Sequence, residues 1–409
     1  MRRQMIFLQM FIAFLGLLFW GCGGDDGPTN PPVPTGSISI EAAPNDFEAP
    51  WQLTGPDTSS LRGAGNLTIS EVAPGDYTLI WGAVEGWIDP GSSTQTLDAG
   101  ATVSFSGTYY SETPDYLPGF VLIPPADLAV PATFTMGSSL HEGHMPIDSD
   151  PHQVTLTDRF YMASTEVTVG QFVEALQWAY DQGHVTAEGA SIFDALDGST
   201  QELLDVADSS LKIDFSNGVF GTSFPDLPIL AVSWYAAVSY CDWLSLKADL
   251  PRAYDHSDWS CNGGNPYSSS GFRLPTEAEW EFACRAGTTT HFNTGDCLNV
   301  DGEANFDARY LNFFDCPHGW HLGHVVEVGS YPANQWNLHD LHGNVAEWCQ
   351  DWYGSYNGDV TNPAGSEVGE NKIVRGGSWS SYPDNCRSAM RDFSNPLERY
   401  YLIGFRPVR

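Results

Sequence analysis

Eight cysteines carry the widest chemical possibilities in this chain. A thiolate is a nucleophile and a soft-metal ligand, and two thiols can close a disulfide. Apart from Cys22, seven remain: Cys241, Cys261, Cys284, Cys297, Cys316, Cys349 and Cys386. Seven is odd, so at least one stays unpaired. We expect Cys297 to pair with Cys316 and staple the loop between them, and free thiols at Cys241, Cys261 or Cys349 to act as small buried hydrophobes. His318, His321 and His324 repeat at three-residue spacing, as do His339 and His342, and such a ladder on a helix could hold zinc. Pro317, Gly319 and Gly323 instead make the first set a loop, where surface or hydrogen-bonded histidines are expected. Glu277 and Glu281 read as solvated helix charges. No Ser-His-Asp order and no phosphate-binding loop is present.

These groups must be positioned by short elements. Val167 to Leu176 has helical spacing, and so has Tyr235 to Leu246, where Ala236, Ala237, Tyr240 and Trp243 share related faces behind a Ser233 N-cap. Thr276 with Glu279 three residues on forms a capping box for a third helix, and acids in its first turn suit the helix dipole. From Asn371 to Arg409 an apolar-polar alternation is broken by Gly376-Gly377, which reads as strand, turn, strand. The chain end is therefore expected to be buried. Upstream, Ser37 to Tyr110 holds short alternating runs such as Ser37-Ile38-Ser39-Ile40 and Tyr77-Thr78-Leu79-Ile80, separated by Gly, Pro, Asp and Ser, the pattern of a small all-β sandwich.

Composition narrows the function classes. With 409 residues and 42% hydrophobic content the chain can bury a large core and is expected to hold two domains. A formal charge of -34 repels phosphate backbones and disfavours nucleic-acid binding. Arg2 and Arg3 precede an apolar run from Met5 to Trp20 with the build of a secretory signal. Phe19-Trp20-Gly21-Cys22 resembles a bacterial lipobox, which implies signal removal after residue 21, lipidation of Cys22 and anchoring of an exported protein to a membrane of the bacterial cell envelope. Residues 22–36, rich in Gly and Pro, then form a tether. An exported chain meets an oxidising space in which disulfides persist.

Two resemblances add to this reading. Ala73-Pro74-Gly75-Asp76 before Tyr77 resembles the PEGA family of surface β-domains, over about one strand pair of the 37–110 unit. Residues 116–409 carry a longer series: Met136-Gly137, Glu166-Val167-Thr168, Val232-Ser233-Trp234, Arg273 to Glu281, Gly343-Asn344-Val345-Ala346-Glu347-Trp348, Arg375-Gly376-Gly377-Ser378-Trp379 and Gly404-Phe405-Arg406. In this order they resemble the formylglycine-generating enzyme family, also called sulfatase-modifying factors. The resemblance implies an α+β domain related to C-type lectins, with modest regular structure and long ordered loops.

It also implies sites. Oxidases of the family convert a substrate cysteine to formylglycine with oxygen and a copper ion held by two cysteines in a Cys-x4-Cys arrangement shortly after the Gly-Gly-Ser-aromatic motif. Aligned on Gly376-Gly377-Ser378-Trp379, the first of these falls at Ser381 and the second has no counterpart before Cys386. Copper is therefore doubtful, and Cys386 resembles the half of a disulfide whose partner is Cys284. Ser378, Trp379, Ser381 and Arg391 are the pocket candidates. The family's calcium loop carries over to Asp340, Gly343, Val345 and Glu347, and hard oxygen donors suit Ca2+. A second calcium site would involve Asn305 and Phe306, without a clear aspartate after them.

Two functions follow. One is an exported formylglycine-generating oxidase that modifies a protein such as a sulfatase. The other, favoured by the missing copper pair, the anchor and the accessory β-domain, is a non-catalytic module that binds a protein or peptide through loops around Ser378 to Arg399.

Overall fold

The computed structural model describes residues 34–43, 48–56, 59–84, 87–88, 90–111, 119–125, 128–138, 151–298, 302–309, 316, 319–356 and 358–409. The signal segment, Cys22, most of the tether and His318 lie outside them. Among the described residues no helix is long and apolar enough to cross a membrane. The chain divides into two compact units, Met1–Glu112 and Thr113–Arg409.

The first unit has two main sheets and a two-stranded pair, Trp87–Ile88 with Tyr110–Ser111. In one, Gly36–Ala43 pairs antiparallel with Leu67–Val72 and parallel with Thr102–Thr108. In the other, Pro50–Thr54 and Gly75–Trp81 are central, flanked by Ser60–Ala64 and Ser92–Leu97. Alternation sends Ile38, Ile40, Trp51, Leu53, Leu79 and Phe105 into one apolar core, as a half-buried strand requires. This is the sandwich the sequence pattern leads one to expect.

Among its described residues the second unit has three α-helices, and polar caps set where each begins. Helix α1 (Val169–Asp181) starts two residues later than periodicity alone suggests, because Thr168 and Gln171 form a reciprocal capping box. Val167 thus lies outside the helix and donates its N–H to the Phe405 carbonyl, 2.9 Å. Helix α2 (Trp234–Lys247) begins behind Ser233, whose hydroxyl accepts from the Ala236 N–H. Helix α3 (Glu277–Arg285) carries the expected Thr276–Glu279 box. The C-terminal segment forms a four-stranded sheet in the order Asp392–Ser394, Lys372–Arg375, Ala346–Trp352, Ile403–Gly404. Beyond it, Val408 exchanges backbone hydrogen bonds with Arg273 and Arg409 exchanges them with Tyr161, tying the chain end to the middle of the unit.

The glutamates of α3 correct one expectation. Glu277, Glu279 and Glu281 are buried, not solvated. Glu279 receives Arg273 at 2.6 and 2.7 Å, and Glu277 receives Arg391 at 2.6 and 2.8 Å. Glu281 takes Arg285 at 2.9 Å and Arg375, together with the Gly137 N–H. Next door, Glu347 holds Arg406 at 2.7 to 2.9 Å and accepts from the Trp280 indole at 2.8 Å. Burial raises the Glu281 pKa, but Arg285 and Arg375 outweigh it and hold the carboxyl below its usual value. A short helix with every charge inside survives because a planar guanidinium satisfies a carboxylate bidentately, so little hydrogen-bonding capacity is lost.

Removing one partner leaves the others desolvated. Glu281→Gln is expected to lower the unfolding free energy by about 3 kcal/mol or more, since it strands two buried guanidiniums. Urea denaturation measures this, and a loss below about 1 kcal/mol would show that the pairs are dispensable.

Candidate ligand-binding site

The segment after strand Lys372–Arg375 encloses a cavity of about 200 Å3 lined by Gly376, Gly377, Ser378, Ser381, Asn385, Phe393 and Tyr400, among others. Its floor is a tight turn. Gly376 and Gly377 both have positive φ (89° and 69°). A Cβ on Gly377 would come within 2.7 Å of Cys386 Sγ, so glycine is required twice over, by conformation and by space. Ser381 Oγ accepts from the Ser378 N–H at 2.9 Å and lies 3.2 Å from Ser378 Oγ, while the Ser381 carbonyl accepts from the Asp307 N–H.

Two of the four pocket candidates line this cavity, Ser378 and Ser381. Trp379 does not; its ring stacks on His321 at 5.7 Å and approaches Tyr401 at 6.3 Å. Arg391 does not either, because its guanidinium is spent on Glu277 and lies over the Tyr356 ring. Sequence reasoning missed that commitment. The signal was available in the three glutamates of α3 and the arginines near the chain end, but their pairing is long-range.

The Cys297–Cys316 disulfide is present. The pairing of Cys284 with Cys386 is not: both are buried free thiols, as are Cys241, Cys261 and Cys349. Cys284 and Cys386 face different neighbours. Cys284 Sγ sits 3.6 Å from Ser388 Oγ and 3.8 Å from His342 Nε2, whereas Cys386 packs against Gly377 in a cluster with Phe292, Leu298 and Phe306. The His342 ring donates from Nδ1 to the Cys386 carbonyl and accepts at Nε2 from the Asn293 N–H, which fixes a neutral tautomer. Burial also pushes its pKa down to about 4. Burial raises every free thiol, Cys284 and Cys261 to about 12, so none of these sulfurs is a ready thiolate. A copper ion needing two thiolates beside Ser378 does not fit these residues: a hydroxyl occupies one position, and the nearest thiol, on Cys386, is protonated and buried behind Gly377.

In the loop for which the family resemblance implies calcium, some donor oxygens are committed and others are spare. Gly343 has φ +92°, and a Cβ there would lie 2.2 Å from the Asn305 carbonyl, so the loop closes only with glycine. That closure lets the Asn305 carbonyl accept from the Asn344 N–H. Asp340 accepts from the Gly329 N–H with Oδ2 and keeps a buried Oδ1 without a partner. Glu166 accepts from the Asn344 amide with Oε1 and keeps a buried, unpartnered Oε2. Burial, then mutual repulsion with Asp340, raises the Glu166 pKa, and burial raises that of Asp340. Glu347, by contrast, has both oxygens on Arg406 and Trp280. The side chains with oxygens to spare for a hard cation are therefore Asp340 and Glu166. At the second position Asn305 keeps only Oδ1 without a partner, and the Phe306 ring is in an apolar cluster. No group of three or more His, Cys, Asp or Glu able to hold a metal occurs among the described residues. Of the histidines expected in a loop, His321 stacks on Trp379 and His324 bonds the Val325 carbonyl.

A family profile for the sulfatase-modifying factor enzyme 1-like domain matches residues 110–409. The chain belongs to that family. Curated relatives of this sulfatase-modifying factor domain include the serine/threonine-protein kinase pkn1 of Chlamydia caviae, 28% identical over 291 residues, covering 69% of this chain and 38% of the kinase. The chain thus spans well under half of that relative. The formylglycine-generating enzyme of Bos taurus is 27% identical over 319 residues, with 72% of this chain and 77% of the relative covered. Among solved structures, PvdO from Pseudomonas aeruginosa is similar at 25% identity and a TM-score of 0.48, over 72% of this chain and 95% of that one.

Proposed function

We propose that this sulfatase-modifying factor domain is a non-catalytic binding module that takes a protein or peptide segment on the face around Ser378 to Tyr401. The observation that carries this reading is Ser381: its hydroxyl stands where the family resemblance implies a copper thiolate, and it is turned inward onto the Ser378 N–H. Around the cavity, Tyr382 (42%), Phe393 (43%), Tyr400 (49%) and Tyr401 (53%) are exposed. Tyrosine and phenylalanine give large contact area at low ordering cost, which suits recognition more than reaction. The formylglycine-generating reading remains the alternative. Purified, reduced protein supplied with Cu(I) and a cysteine-containing sulfatase peptide is expected to leave the peptide thiol intact by mass spectrometry. Conversion of that thiol to an aldehyde, at a rate that drops in Cys386→Ser, would overturn the binding reading.

Calcium is proposed as a structural ligand at Asp340, with the Gly343 and Val345 carbonyls and the Glu166 carboxylate. Supporting it is the burial of Glu166, Asp340 and Glu347 near one guanidinium, Arg406, which leaves excess negative charge that a cation would neutralise. A ligand bound only to the native state stabilises it, so EDTA is expected to lower Tm and added Ca2+ to restore it. An identical melting curve with and without EDTA would remove calcium from this account.

Export and anchoring by lipid at Cys22 complete the proposal, supported by the lipobox resemblance. Expressed with its leader, the protein is expected in the membrane fraction and Cys22→Ser in the soluble fraction. Continued membrane association of Cys22→Ser would refute the anchor.

A further inference from the structure

A second cavity, of about 500 Å3, is walled by the side chains of Tyr235, Trp259 and Trp352. Lys372 lies in its lining, with Asp258 and Glu367 exposed beside it. None of these residues belongs to the face proposed above for peptide binding. The size lies in the range of small-molecule sites.

The construction of Trp259 sets the cavity apart from a chance crevice. Its φ is +61°, a left-handed conformation unfavourable for a bulky residue. Its indole stacks on the His256 ring, centroids 4.4 Å apart, and meets Tyr235 edge to face at 4.8 Å. His256 in turn is clamped at both nitrogens, by Asp194 at 2.8 Å and Asp242 at 3.2 Å, with all three side chains fully buried. Asp242 is itself held by the Ala253 N–H at 2.7 Å. A buried Asp-His-Asp pedestal thus fixes one indole at the wall of the cavity, and strained backbone is retained to keep it there. Preorganising an aromatic wall removes the ordering cost that a ligand would otherwise meet.

The charges narrow the ligand. Lys372 is the one cation in the lining, and its ammonium is committed: it lies 4.0 Å from the Trp234 ring and 3.8 Å from the Trp352 ring, and donates to the Gln350 carbonyl at 2.9 Å. It cannot reach out to a phosphate or carboxylate. The exposed acids beside it and the formal charge of -34 repel anions further. An organic cation would find the Trp234 and Trp352 faces already taken by the lysine, whose charge would repel it. What remains suited is a neutral ligand with apolar faces for the rings and hydroxyl edges for the acids, Ser260 and Gln350. We propose that this cleft binds the sugar rings of a neutral saccharide, stacked on Trp259 and hydrogen-bonded by Asp258 and Glu367.

The test is titration of the purified protein with maltotriose, cellotriose and chitotriose, followed by tryptophan fluorescence and calorimetry. At least one should give saturable binding, with Kd on the order of 1 mM or tighter. Trp259→Ala is expected to weaken it roughly tenfold, and Asp258→Asn several-fold without touching the core. Phe393→Ala, on the peptide face, should bind saccharide as the parent does, which separates this inference from the peptide reading. No saturable response to any of the three sugars would overturn the proposal. So would a saturable fluorescence response to tetramethylammonium or inorganic phosphate in place of sugar, or unchanged affinity in both Trp259→Ala and Asp258→Asn.

Discussion

Buried guanidinium–carboxylate pairing is the constraint on which the larger unit depends. A desolvated ion costs several kcal/mol, and only a partner of matching geometry offsets that cost. Five glutamates are buried among the described residues. Four of them, Glu277, Glu279, Glu281 and Glu347, are each met by an arginine, and Glu166 instead accepts from the Asn344 amide. Three of those arginines, Arg375, Arg391 and Arg406, come from the last forty residues. The C-terminal segment folds back onto α3 and onto strand Ala346–Trp352, and in doing so it pairs these charges. Register follows from the same demand: Glu347 stands opposite Arg375 in the sheet, yet pairs with Arg406, which frees Arg375 for Glu281.

That folding-back shapes the cavity beside Ser378. With Arg375 anchored under Trp280, the chain must reverse at once, and Gly376-Gly377 is the turn that permits it. The returning backbone brings Cys386 against Gly377 and the Cys386 carbonyl onto His342. Both groups are thereby used for packing. The sulfur nearest the cavity is sealed off by the turn that forms the cavity floor, so the cavity presents hydroxyl, amide and aromatic groups. The buried Cys386 thiol and the aromatic rim lie along one backbone path.

A similar economy links the two cavities. Strand Lys372–Arg375 contributes Arg375 to the first and Lys372 to the second. At Lys372 burial pulls the ammonium pKa down to about 7, with Asp351 acting against it, and two indole faces hold the side chain in place. One strand thus carries a guanidinium paired with Glu281 at one end and a caged ammonium at the other.

Local rules were readable without a structure. The caps Ser233 and Thr276 act within three residues, the alternation in Gly36–Ala43 acts through neighbouring side chains, and the Gly pair acts through its own φ angles, so sequence alone determined the starts of α2 and α3, the β-sandwich and the C-terminal turn, whereas the Thr168 cap that delays α1 came from the structure. The ordered motifs likewise marked the family, because each is a group of residues that must meet its partner. Only the tertiary structure decided who the partners were. Glu277 and Glu281 look solvated in a helix pattern, yet an arginine about one hundred residues on changes their environment completely. Cys284 and Cys386 look like a pair until packing sends one thiol to Ser388 and the other to Gly377. Trp259 and His256 show no periodicity at all, since their stacking rests on Asp194 and Asp242 from distant segments. Pairings of that kind depend on distances through space, and no local pattern encodes them.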